Sequence, residues 1–227
     1  MALNRVSRVD DRVKVTNVLL SVSDKTGLAA LVEGLIGVNR SVRFYSTGGT
    51  YAHLQAVLGE RADVYLKAVS EYTGQPEMQG GLVKTLDFKI YMGLLSETYN
   101  DAHRLDLQRT GCIEFDLVVV NLYPFQDTVG HPGVSLEDGR AHIDIGGPCM
   151  LRASAKNFLR VASLCDPGDY SALLEGLKNH EGTTGLSERL ALAKKTFAHT
   201  AGYDEAIAAY LAGQSGNFDG VYQFGGR

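Results

Sequence analysis

The chain has 227 residues, 44% of them hydrophobic, and Lys+Arg 22 against Asp+Glu 26 leave a formal charge of -4. This composition suits a globular domain able to bury its own core, and the acidic balance argues against a general nucleic-acid binder while allowing a local basic pocket for a small anion. No apolar run is long enough to span a bilayer, residues 1–12 alternate charge without the apolar core of a signal peptide, and Cys112, Cys149 and Cys165 fit reduced thiols of a cytoplasmic protein rather than a disulfide frame or zinc site.

Val13 to Ser21 is an apolar, β-branched run that predicts one buried strand. After the polar break Ser23-Asp24-Lys25-Thr26-Gly27, residues Leu28, Leu31, Val32, Leu35 and Ile36 recur at helical spacing. Val42 to Tyr45 predicts a second strand. It ends in Ser46-Thr47-Gly48-Gly49-Thr50, and a helix with Tyr51, Leu54 and Leu58 on one side follows. Val64 to Val69 predicts a third strand. Ser70 to Leu95, with Pro76, Gly80, Gly81 and Gly93, reads as a long functional loop holding short helical pieces.

Asp116 to Leu122 is the clearest central strand, and Ile143 to Asn157 reads as a turn entering a helix with Pro148 in its first turn. Arg160 to Cys165 predicts another strand. Asp166-Pro167 opens a helix through Leu177, and Leu186 to Leu211 is helical with a break expected near Gly202. Strands alternating with helices predict a three-layer α/β/α fold, its sheet mostly parallel, with a C-terminal helical extension. The expected organisation is a tail over 1–12, one domain over 13–212 and a second tail over 213–227, in which Phe218, Tyr222 and Phe224 are available to cover an interface.

Two strand ends carry hydroxyls, glycines or a lysine just before a helix: Ser21 to Gly27, and Ser46 to Thr50. Backbone amides at a helix start, with small side chains beside them, suit a phosphate. Ordinary caps and tight turns use the same residues, so either turn alone says little; the pair on neighbouring strands favours a ligand. Neither turn is a P-loop or a dinucleotide fingerprint, since the chain has no Gly-Lys pair and no GxGxxG. HExxH and GxSxG are absent, and His53, His103, His131, His142, His180 and His199 show no metal-ligand spacing.

The strings LLSVSDKTGL (19–28), STGGT (46–50), VSEYTGQPEM (69–78), VKTL (83–86), DLVVVNLYPF (116–125), IDIGGPCMLRASAKN (143–157) and FAHTAGYDEAIAAYL (197–211) come in that order. Together they closely resemble the IMP cyclohydrolase domain of the bifunctional AICAR formyltransferase/IMP cyclohydrolase family. The resemblance runs from about Val15 to Leu211. It implies a methylglyoxal-synthase-like fold and the closing step of purine synthesis: dehydration of FAICAR, a formamido-imidazole-carboxamide ribotide, to IMP. No metal or redox cofactor is implied. The family would continue into a formyltransferase beyond Arg227, so the chain reads as a free-standing cyclohydrolase supplied by a separate AICAR formyltransferase. It further implies a homodimer, with no nucleic-acid or membrane partner.

Residue by residue, the resemblance implies a catalytic group of Lys84, Tyr123, Asp144 and Lys156, with Lys156 as the proton-transfer lysine. The chemistry itself needs an oxyanion stabiliser, a proton acceptor and a donor to the formyl oxygen, and Lys84, Asp144 and Tyr123 fit those parts. The implied nucleotide-binding residues are Ser21, Ser23, Asp24, Lys25, Thr47, Gly48, Gly49, Thr50, Val83, Thr85, Asn121, Ile145 and Gly146. Of these, Asn121 and Ile145, with Asp144, would meet the base. Surface lysines, a ring over the core and a helix cap account for the same side chains without function.

The chain departs from the family pattern in one loop. Leu82 stands where the family has arginine, Asp87 and Tyr91 where it has histidines, and Phe88 where it has proline. Leucine offers no charge-assisted bond, worth about 1.5–3 kcal/mol; Lys89, Arg104 or Arg140 are candidate substitutes, and Asp87 adds an unhelpful negative charge near an anion. Two alternatives therefore stay open at this stage: a catalytically impaired nucleotide-binding relative with a regulatory or scaffold role, and a lyase of small phosphate esters sharing the fold.

Overall fold

The computed structural model describes residues 5–75 and 84–215, with 218, 221–223 and 225 beyond them. The short strand β1 (Arg12–Lys14) is followed by β2 (Asn17–Val22), α1 (Leu28–Val38), β3 (Arg43–Ser46), α2 (Gly48–Leu58), α3 (Ala62–Tyr65), β4 (Leu66–Ala68) and α4 (Val69–Thr73). Then come α5 (Phe88–Leu95), α6 (Asp101–Thr110), β5 (Leu117–Asn121), α7 (Phe125–Gly130), α8 (Leu136–Ala141) and α9 (Gly146–Lys156). The chain closes with β6 (Ala162–Leu164), α10 (Tyr170–Asn179), β7 (Thr183–Gly185) and α11 (Leu186–Ala212).

Among the described residues the main sheet has five strands in the order β4-β3-β2-β5-β6, every neighbouring pair parallel. The central strands are buried on both faces, as their unbroken apolar runs require. Val18, Leu20, Leu117 and Val119 point into one core with α1, α2 and α10. Leu19, Val118 and Val120 point into the other, with Ile90 and Leu94 of α5 and Met150 and Leu151 of α9. The result is the three-layer arrangement expected. No described helix is long and apolar enough to cross a membrane.

The expected single strand from Val13 to Ser21 is two. Asp116 breaks it: its carboxylate accepts the amides of Thr16 at 2.9 Å and Asn17 at 2.8 Å, so those groups leave the ladder. The outer piece, β1, pairs antiparallel with β7, a strand the apolar periodicity had not marked. The expected break near Gly202 is absent, because α11 runs unbroken past it. A buried stripe of Arg189, Ala193, Thr196 and Thr200 packs the helix against the body and outweighs one glycine's weak helix propensity, about 1 kcal/mol. The Asp166-Pro167 start does open a helix, by way of a single 3₁₀ turn. Helices α6, α7 and α8 fall where the sequence showed no periodic stripe; α8 is started by a reciprocal cap between Ser135 and Asp138.

Two buried arginines hold the periphery. Arg189 donates to the backbone carbonyls of Asp10, Asp11, Phe158, Leu159 and Thr184, which fastens the segment before β1 to the last helix. Arg160 pairs with Asp116 at 3.2 Å and donates to the carbonyls of Gly93 and Ser96.

Candidate active site

The strand order reverses between β2 and β5, and a ligand crevice in an open parallel sheet lies at the carboxyl ends of the strands where this happens. A cavity of about 220 Å³ occupies that place, walled by the segments after β2, β3 and β5 and by the start of α9. Ser21, Ser23, Lys25, Thr47, Gly48, Gly49, Thr50, Lys84, Thr85, Asn121, Tyr123, Asp144 and Gly146 all line it. Three of the four residues expected to be catalytic are therefore brought together from chain positions sixty residues apart.

The two turns singled out in the sequence form one wall, and Asn121 fixes the first of them. Its carboxamide oxygen accepts the Ser23 and Asp24 amides at 2.6 and 2.8 Å, and its nitrogen donates to the Asp24 carbonyl at 2.7 Å. Asn121, expected to meet the base, lines the cavity while its polar atoms hold the β2–α1 turn. Thr50 is committed in the same way, since its hydroxyl accepts the Val22 amide and donates to the Val22 carbonyl, both at 3.0 Å. What the second turn offers a ligand is backbone. Thr47 makes no side-chain cap, and α2 begins at the cavity with Gly48 and Gly49, so its amino-terminal end suits an anion. Gly48 has a φ of 50°, and a Cβ there would lie 3.0 Å from Lys84 Nζ, which sets the lysine beside this helix end.

The opposite wall is the start of α9. Asp144 Oδ1 accepts the Gly147 amide at 2.9 Å, and the Asp144 amide donates to the Tyr203 hydroxyl at 2.8 Å. Burial pushes the Asp144 carboxyl above the ordinary carboxylate range, against the opposing pull of the Gly147 amide. Both glycines at this helix start are required sterically. A Cβ on Gly147 would meet Asp144 Oδ2 at 2.5 Å and Leu122 Cδ2 at 2.7 Å; one on Gly146 would meet Thr85 Oγ1 at 2.5 Å. Tyr123 stands at the mouth, 57% exposed.

Lys156 is elsewhere. It is the exposed last residue of α9, about 15 Å along the helix axis from Gly146, because ten residues separate them at the α-helical rise. The contiguous string that carried it hid this: an eleven-residue helix carries its end away from the cavity, toward the start of β6. Asp24 and Ile145 do not line the cavity either. Asp24 accepts the Thr26 amide at 2.8 Å, and Ile145 is 55% exposed. Val83 and Leu82 lie outside the described residues, as does Phe224 of the tail.

None of the proposed substitutes for the missing arginine lines the cavity. Lys89 donates to the Tyr72 carbonyl at 3.2 Å, Arg104 pairs with Asp101 and Arg140 pairs with Glu137. Asp87 is not in the cavity wall; its carboxylate accepts the Lys89 amide at 2.8 Å and caps α5. The lining residues that sequence reasoning missed are Val22, Leu86, Gly147 and Met150. Of these Gly147 alone carried a signal, the second glycine before Pro148. Among the described residues no group of three His, Cys, Asp or Glu side chains is placed to hold a metal ion.

The parallel sheet, its reversal point and the anion-suited turns define an MGS-like domain, and the family pattern of that description matches residues 27–149. A second pattern, described as the AICARFT/IMPCHase bienzyme, matches residues 154–225. The chain belongs to the MGS-like family. It is 43% identical over 214 residues to the "Bifunctional purine biosynthesis protein PurH" of Magnetococcus marinus, covering 92% of this chain and 39% of that protein. The protein of the same name from Trichormus variabilis is 45% identical over 195 residues, 86% of this chain and 37% of its own. The chain thus spans less than two fifths of the curated relatives it matches. A solved structure titled "Crystal structure of ForH" superposes with a TM-score of 0.77 at 33% identity, covering 89% of this chain and 99% of that one.

Proposed function

We propose that this chain is an IMP cyclohydrolase, closing the pyrimidine ring of FAICAR with loss of water. The observation that carries the reading is the meeting of Lys84, Tyr123 and Asp144 in one cavity beside the amino-terminal end of α2, in a chain matched by the bienzyme pattern and by PurH proteins.

The ribotide phosphate lies against Gly48, Gly49 and the first amides of α2, with Lys25 nearby, and this anchor orients the two reacting arms. The carboxamide nitrogen attacks the formyl carbon and forms the C–N bond. Asp144 takes the proton that nitrogen gives up; its partial burial raises its basicity for this task. Charge gathers on the former formyl oxygen, which Lys84 neutralises and the Tyr123 hydroxyl hydrogen-bonds. That oxygen takes a proton from Lys84 to become a hydroxyl and then the proton held by Asp144 to depart as water; as it leaves, the formamido nitrogen gives its own proton to Lys84 and the ring C=N bond forms. The water thus carries away one hydrogen from the carboxamide nitrogen and one from the formamido nitrogen, and no redox change occurs.

We further infer a cytoplasmic homodimer that draws its substrate from a formyltransferase. FAICAR consumption by the purified chain, followed as IMP formation by absorbance, tests the activity. Turnover lowered at least about a hundredfold by Asp144→Asn supports it; wild-type turnover equal to the uncatalysed rate overturns it. Sedimentation tests the dimer.

A further inference from the structure

Asp144 sits in a stretch with no regular structure, between the end of α8 and the start of α9. The side chain of its neighbour Ile145 is 55% exposed, and the Ile145 carbonyl accepts the Cys149 amide of α9 at 3.3 Å. The carboxylate has one restraint, the Gly147 amide, which fixes an oxygen without fixing the backbone that carries it. The backbone restraint comes from 59 residues away. The Tyr203 hydroxyl, on α11, accepts the Asp144 amide at 2.8 Å and donates to the His142 carbonyl at 3.4 Å, so one oxygen spans the turn on both sides. That hydroxyl is itself held in place. The Tyr203 ring is half-buried, packs against the second core and stands edge-on to the buried ring of Phe125, centroids 6.1 Å apart. Helix α11 packs along α9, so both restraints on Asp144 share one rigid unit.

We propose that Tyr203 is a positioning residue for the ring closure: its hydroxyl sets the direction in which Asp144 presents its carboxylate to the cavity. Tyr203 does not line that cavity, and its effect passes through the Asp144 backbone. Removing the hydroxyl alone leaves the ring's packing intact and frees the amide, so the turn loses its long-range tie. Misplacing a catalytic group by about 1 Å costs on the order of a hundredfold in rate. The inference rests on the proposed role of Asp144 as proton acceptor.

The test is a double-mutant cycle on the full chain with FAICAR as substrate, using Tyr203→Phe, Asp144→Asn and the pair. Expected for Tyr203→Phe is a roughly ten- to hundredfold fall in kcat with KM within about twofold, because the nucleotide anchor at α2 is untouched. In the Asp144→Asn background the same change should cost almost nothing further, since the two residues act as one unit. A thermal midpoint recorded for each variant separates lost positioning from lost folding. An equal loss of kcat in both backgrounds, a change confined to KM, or no loss while Asp144→Asn is inactive would overturn the role of Tyr203 and leave Asp144 standing. Full activity of Asp144→Asn would instead remove the Asp144 reading, and this inference with it.

Discussion

The two ends of α9 lie in one continuous stretch of sequence and do opposite work. At the amino-terminal end, Gly146 and Gly147 give up side chains so that Thr85 and Asp144 can close on the backbone, and a carboxylate is kept part-buried at a cavity. At the other end the buried polar groups serve the fold. Asn157 donates to the carbonyls of Leu94 and Ser96, both at 2.8 Å, and Arg160 pairs with Asp116, the residue before β5. A charged group buried without full pairing costs stability and is kept where chemistry uses it; one fully paired underpins structure. The helix separates these two uses by its own length.

That contrast can be broken by experiment. Asp144→Asn should lower kcat by about a hundred- to ten-thousandfold, the range for removing an acid–base group, while leaving the thermal midpoint unchanged or raised. The sign follows from its pKa. Burial raises the folded-state value, so the ionised carboxylate is disfavoured on folding at neutral pH and asparagine relieves that cost. Any stability advantage of the variant should shrink as pH falls through the raised folded pKa and vanish below the unfolded value, which denaturant titrations at stepped pH would show. Arg160→Leu should do the reverse. It strands the buried Asp116 and unpairs two carbonyls, a loss of about 3–5 kcal/mol in stability, with kcat preserved at temperatures well below melting. Loss of kcat without a melting shift would erase the distinction.

Gly147→Ala probes whether the first end tolerates any bulk. The methyl group would push Asp144 Oδ2 and the Leu122 side chain aside, and a fall of about tenfold to a hundredfold in kcat is expected from the displaced carboxylate. The smallest effect belongs to Lys156→Ala, expected to stay within about twofold in kcat and KM because an exposed lysine at the far helix end does not line the cavity. A hundredfold loss there would mean that a second copy brings its own α9 end to the cavity, and sedimentation of the same sample would test it.

The sheet was legible in the sequence because its central strands are buried on both faces and need continuous apolar runs; Leu117 to Val120 leave little room for another assignment. The edges were less legible. A run of β-branched residues does not show that Asp116, a hundred positions away, will claim the amides of Thr16 and Asn17. In the site, residue types announced themselves and their employment did not. Asn121 and Thr50 are polar, placed at the cavity and already occupied by backbone groups. Tyr203 lay inside a recognised string with no sign of its target, since a hydroxyl that meets another segment's amide leaves no spacing to read.

The grip of Arg189 sets an order of assembly. The strands β2, β3 and β5 can pair once residue 121 has been made, but β1 finds its partner only at 183–185, and the carbonyls of Asp10 and Asp11 wait for residue 189. The segment before β1 is thus made before its partners and fastened after them. A nascent chain halted before α11 should expose residues 10–14 to protease, and completion of α11 should protect them.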